Sequence, residues 1–166
     1  MCGEEDARAA APIAKRLGGV LTQRGLTIAV AESCTGGFIC HRITNVPGAS
    51  NYFLMGIVAY SNDAKEEQLG VQRVLLEKSG AVSRDVALAM ARGIRDRARS
   101  DVGVGVTGIA GPEGGTPEKP VGLVFIAAVT GTHERVERNI FAGDRVAIKQ
   151  QTADAALTLV LDVVQK

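Results

Sequence analysis

Residues 26–37 read LTIAVAESCTGG: an apolar run to Glu32, then Ser33, Cys34 and Thr35, then Gly36 and Gly37. If 26–32 is a buried strand and 38–44 a helix, Ser33 stands at a strand's carboxyl end, where open α/β sheets hold ligands. The backbone amides of Thr35, Gly36 and Gly37 can then face a negative oxygen, either a phosphate or the oxyanion of an attacked carbonyl. The same pattern describes an ordinary strand–turn–helix joint with Ser33 or Thr35 as the N-cap. Two other predicted strand ends carry polar groups. One delivers Tyr60, Ser61 and Asn62, with Lys65 in the first turn of the next helix. The other delivers Thr107 into the loop GIAGPEGGTPEKP at 108–120. A serine needs a base before it attacks anything. His41 and His133 fall at no strand end, so Lys65 is the candidate, and a Ser–Lys pair is a known alternative to a histidine triad. The lysine must shed its proton, a fall of roughly three units from about 10.4, or about 4 kcal/mol. Burial among polar groups can supply that. A solvated surface lysine is the competing reading of Lys65.

Those ends must be held by a sheet, and composition allows one. The chain has 166 residues, 46% hydrophobic and 22% charged, which suits a single domain. A net charge of +1 argues against a nucleic-acid partner. Cys2, Cys34 and Cys40 make an odd count without metal-type spacing, as expected of reduced thiols in a cytoplasmic protein. No apolar run approaches the roughly 20 residues of a membrane span, and the acidic, then alanine-rich start is unlike a signal peptide.

Residues 5–24 predict a helix with Ala10, Ile13, Ala14, Leu17, Val20 and Leu21 on one face and Gly25 as its stop. After the 26–32 strand and the 38–44 helix, FLMGIVAYS at 53–61 predicts a second strand, placed centrally by its apolar content. Asn62 can cap a helical turn over 63–68. A short helix over 71–79 ends at Gly80. Ser83 caps a longer one over 84–100, with Val86, Met90, Ile94 and Ala98 inward and Arg92, Arg95 and Arg99 along another face. That arginine face is either a basic binding strip or, diluted by Asp85, Asp96 and Asp101, a solvated surface. DVGVGVT at 101–107 predicts a glycine-punctuated strand. The glycine- and proline-rich loop after it is either a ligand-presenting loop or a mobile surface segment; it lacks a Walker lysine and a GxGxxG pattern. Residues 121–130 and 133–141 predict an antiparallel pair, the second an edge strand protected by its charges. Asp144 is the predicted N-cap of a last helix reaching 164. Arg145 in its first turn stands at the wrong end for a cation unless it holds an anion, with Lys149 one turn on. Five strands with helices on both faces give a three-layer α/β/α sandwich on a mixed five-stranded sheet.

AESCTGG at 31–37, GASNYFLMGIVAYSNDAK at 48–65, GAVS at 80–83, TGIAGPEGG at 107–115, KPVG at 119–122 and a GDR ending at Arg145 resemble, in order and in register over roughly residues 8–162, the CinA C-terminal domain family. The resemblance implies the same sandwich fold. It also implies hydrolysis of the carboxamide of nicotinamide mononucleotide to nicotinate mononucleotide and ammonia, a step of pyridine-nucleotide salvage. The family's catalytic serine, tyrosine and lysine fall on Ser33, Tyr60 and Lys65. Substrate contacts are expected from Asn62, Thr107, Gly108, Ala110, Gly111, Gly115 and Arg145, the phosphate seeking either Arg145 or the amides of 108–115. The expectation includes a small pyridine nucleotide as partner, a homo-oligomer, and neither metal nor cofactor. It also includes one domain over 1–166, without the N-terminal molybdopterin-binding-like domain that many relatives carry. Adjacent arginines often follow GDR in the family; Lys149 and Gln150 stand there in this chain. A non-catalytic nucleotide-binding or regulatory module is the alternative.

Overall fold

The computed structural model describes the backbone of residues 4–166 and the side chains of residues 13–166. Cys2 and the side chain of Ala10 lie outside the described residues. The elements run α1 (Glu4–Arg24), β1 (Ile28–Glu32), α2 (Phe38–Thr44), a 3-10 turn (Ala49–Asn51), β2 (Phe53–Val58), α3 (Asn62–Leu69), α4 (Arg73–Ser79), α5 (Arg84–Ala98), β3 (Val102–Gly108), β4 (Leu123–Val129), β5 (Glu134–Ile140) and α6 (Arg145–Val164). The sheet order is β2-β1-β3-β4-β5. β1 pairs parallel with β2 and β3, while β3–β4 and β4–β5 are antiparallel. The chain leaves β1 for one side and later returns on the other, so the carboxyl ends of β1 and β3 flank a topological switch point. No described helix is long and apolar enough to cross a membrane.

Period-two alternation divides the sheet between two layers. Ile28 and Val30 of β1, with Val102, Val104 and Val106 of β3, join one core with Leu17, Leu21, Ile39, Ile43, Ile148 and Leu157 from α1, α2 and α6. Ala29 and Ala31 point the other way, toward Leu69, Leu76, Val86, Met90 and Ile94 of α3, α4 and α5. On that second face β3 carries Gly103 and Gly105, so α5 lies on the sheet almost backbone to backbone. A Cβ at Gly103 would sit 2.2 Å from the Ala91 carbonyl oxygen, and one at Gly105 2.3 Å from that of Ala87.

The termini of the helices follow local chemistry. Gly25 (φ 64) ends α1, with its amide on Thr22 and that of Leu26 on Leu21. Ser83 caps α5 through Val86 N and Asp144 caps α6 through Ala147 N. Two predictions need correction. The cap of α3 is Ser61, whose Oγ accepts from Ala64 N at 3.1 Å, and Asn62 is the first helical residue. β2 is an edge strand rather than a central one, with Leu54 and Val58 about half exposed. An uncharged apolar run reads as doubly covered, but only Phe53, Met55 and Ile57 find cores. The opposite edge, β5, carries Glu134, Arg135, Glu137 and Arg138 as predicted. Two of the three arginines predicted on one face of α5 are engaged within the molecule, while Arg99 is its exposed C-cap. Arg92 makes a two-point contact with Glu134 (2.7 and 2.5 Å), and Arg95 donates to the Asp101 carbonyl.

Gly93 of α5 meets α3 closely: a Cβ there would lie 1.9 Å from the Leu69 carbonyl oxygen. Helix propensity alone would reward alanine by about 1 kcal/mol, but a backbone clash has no flexible side chain to yield, and overpacking costs about 1–3 kcal/mol. Gly93→Ala is therefore expected to destabilise the fold, read as a lower urea midpoint at unchanged m-value.

Candidate active site

Ser33 is fixed by the sheet on both sides. Its amide donates to Val106 O of β3 at 3.0 Å, and the carbonyl just before it, of Glu32, accepts from Ala59 N beyond β2 at 2.9 Å. The nucleophile candidate thus extends the ladder by one residue at the switch point, 8% exposed.

Lys65 faces it. Helix α3 starts at the end of β2 and its fourth residue turns inward, so Lys65 is 2% exposed rather than solvated. Its Nζ lies 3.0 Å from Ser33 Oγ, 3.0 Å from Ala59 O and 3.1 Å from Tyr60 O. Among the described residues no carboxylate pairs with it. Two carbonyls and one hydroxyl suit either protonation state. The ammonium donates to all three; the neutral amine donates to the two carbonyls and turns its lone pair to the Ser33 hydroxyl. Burial pushes the lysine below its ordinary 10.5, since desolvation penalises the charged form.

Tyr60 serves this lysine through its main chain. Its hydroxyl is 2.8 Å from Arg145, which donates to it, and the side chain is 59% exposed. The Tyr60 carbonyl contacts the Lys65 amine, while its ring stands at the rim. Arg145 also donates to Gly111 O at 2.6 Å, tying the 108–120 loop to the end of β2. Thr107 is not presented openly: it is 1% exposed and its hydroxyl donates to Ala81 O at 2.8 Å. Gly108 ends β3 against Val124, Ala110 is buried, Gly115 is exposed in the loop, and Asn62 is exposed beside the rim.

The amides expected to receive an oxyanion are partly committed. Gly36 N donates to Ser33 O at 3.1 Å, and Gly37 N donates to the Glu32 carboxylate at 3.0 Å. Of the expected set, Thr35 remains. Its amide and that of Cys34 reach no backbone carbonyl among the described residues, and its buried hydroxyl has no hydrogen-bond partner. Glu32 was passed over in the sequence as part of an apolar strand. The signal was a lone carboxylate at the buried end of a strand, one residue before the serine. Lys149 is the other addition. Its Nζ lies 3.7 Å from where a Cβ of Gly36 would be, and no carboxylate pairs with it among the described residues. A cavity of about 1540 Å³ lies elsewhere, between α1, α2 and α6. It contains His41 and the Arg42–Asp154 ion pair but neither Ser33 nor Lys65. The candidate site is marked by its convergent polar groups and not by that groove.

Residues 10–164 match the CinA C-terminal domain. A CinA-like protein of Geobacter sulfurreducens is 56% identical over 135 residues, covering 81% of this chain and 33% of that protein. The chain spans about a third of the length of the curated relatives it matches. Among solved structures, the competence/damage inducible protein CihA from Agrobacterium tumefaciens aligns with a TM-score of 0.91 at 40% identity over 95% of this chain and 96% of that one. A CinA superfamily protein from Klebsiella pneumoniae aligns with a TM-score of 0.91 at 29% identity over 94% and 98%.

Cys34 sits beside Ser33 but is poorly suited to attack. Burial pushes its thiol up to about 12, with the charge of Glu32 adding to the rise. Near pH 8 only about one thiol in 10⁴ is then ionised. Iodoacetamide is expected to leave Cys34 unmodified in the folded protein and to alkylate it readily in urea, as read by peptide mass spectrometry.

Proposed function

The chain belongs to the CinA C-terminal domain family, and from that premise we propose that it hydrolyses the carboxamide of nicotinamide mononucleotide, releasing ammonia and nicotinate mononucleotide. The observation that carries this reading is the 3.0 Å contact between Ser33 Oγ and a buried Lys65 amine whose other partners are neutral carbonyls. A lysine paired with a carboxylate would hold its proton; one held only by carbonyls can release it.

In this reaction Ser33 Oγ attacks the amide carbon while the Lys65 lone pair takes the hydroxyl proton. The two remaining N–H bonds stay on the Ala59 and Tyr60 carbonyls, so the amine keeps its orientation. The oxyanion is met by the Cys34 and Thr35 amides and the unpaired Thr35 hydroxyl, each such donor being worth about 10²–10³ in rate. Lys65 then protonates the departing ammonia, and water resolves the acyl-enzyme with the same amine as base. The electron-withdrawing pyridinium ring makes this carboxamide more open to attack than an ordinary amide. Arg145 and Lys149, both on α6 and both beside the nucleophile turn or the glycine loop, supply the charge for the phosphate. Tyr60, at the rim with Arg145, lines the entrance.

Purified protein incubated with nicotinamide mononucleotide is expected to release ammonia. Ser33→Ala should abolish release while keeping nucleotide binding, and Lys65→Met should lower kcat by about 10³-fold or more. Binding without ammonia release by the unaltered protein would instead support a non-catalytic nucleotide-binding module.

The pH dependence has a fixed sign. The base is the neutral amine, so kcat/KM should rise with pH through a Lys65 pKa lying below 10.5. A profile with no rising limb anywhere below pH 10.5 would assign the base elsewhere.

A further inference from the structure

Glu32 is the one charged side chain of β1 and is fully buried. Its Oε2 accepts the Gly37 and Ile39 amides at 3.0 and 3.1 Å, and its Oε1 accepts the Cys40 amide at 2.8 Å. These three donors take most of the roughly four acceptor positions of a carboxylate. The same residue is also fixed through its backbone, since its carbonyl accepts from Ala59 N. The turn at 33–36 therefore leaves from one end of Glu32 and is held at its far side by the other end. A single residue closes the loop that carries Ser33.

Resting on the reading of Ser33 as nucleophile, we infer that Glu32 is a positioning residue for it: the carboxylate sets the shape of the turn and so the placement of Oγ against Lys65. A carboxamide cannot replace it. Glutamine is the same size, but one of its two polar atoms becomes a donor facing backbone N–H groups. The turn must open on that side, and Oγ moves with it. A displacement of about 1 Å at a reacting atom costs about 10²-fold in rate.

The test uses a fluorophosphonate probe, which reads serine reactivity without depending on the natural substrate. The Ser33 Oγ–P bond forms as the P–F bond breaks, fluoride leaves, and the hydroxyl proton passes to Lys65. Mass spectrometry gives the labelled residue, and the time course gives kinact and KI. Unaltered protein is expected to label at Ser33. Glu32→Gln, shown folded by circular dichroism, should lose about 10²-fold in kinact with KI changed less than about twofold. Glu32→Ala should be equally slow, and formate, a carboxylate small enough for the vacated space, should restore at least about tenfold of its labelling rate where chloride does not. Folded Glu32→Gln labelling at the unaltered rate would overturn the inference, as would a slow Glu32→Ala that formate leaves unchanged. If Glu32→Ala does not fold, Glu32→Gln decides alone. No labelling of Ser33 in the unaltered protein would instead overturn the nucleophile reading itself, and this inference with it.

Discussion

The molecule is built around an amine taken out of water without a counter-charge. Placing Lys65 in the interior is costly for an ammonium and cheap for a neutral amine. Three oxygen partners satisfy it in either state, and only the direction of the Ser33 bond changes between them. In the proposed reaction the proton therefore passes between serine and lysine with no side chain rearranging. Such a site needs no solvent reorganisation at the moment of proton transfer, which is the general basis of electrostatic preorganisation.

The rest of the fold keeps that arrangement rigid. Small residues on one face of β1 and β3 let α5 lie against the sheet, and Gly93 lets α3 lie against α5. Lys65 is thus positioned by backbone contacts rather than by adjustable side chains. Ser33 is positioned by ladder bonds to β3 and, through Glu32, to the end of β2 and the first turn of α2. Arg145 joins two segments, the end of β2 and the glycine loop, that no strand pairing connects.

Much of this was legible in the sequence, because the informative signals were local. Gly25, Ser83 and Asp144 end or begin helices where their own chemistry says they should. The charges of β5 marked it as an edge. Ser33 and Lys65 were named from strand-end position and the lack of a suitable histidine. What was misread depended on contacts distant in sequence. An uncharged β2 looks central until the order of strands is known. Ser61 and Asn62 are equal caps on propensity, and only the backbone geometry separates them. The Gly36 and Gly37 amides looked free because nothing in residue order says that Glu32 folds back to reach Gly37. Thr107 looked presented until Ala81 arrived beside it.

The uncovered rim of the sheet has a practical consequence. Phe53–Val58 holds no charge and no proline, and Leu54 and Val58 face outward. The chain's isoelectric point is about 7.7. In buffers near neutrality, long-range repulsion between molecules is therefore weak, and the uncharged β2 edge, unlike the charged β5 edge, has nothing of its own to keep a second strand away. Colloidal behaviour should be governed by this strand, and storage well away from pH 7.7 at low protein concentration is the condition that keeps it apart from its copies.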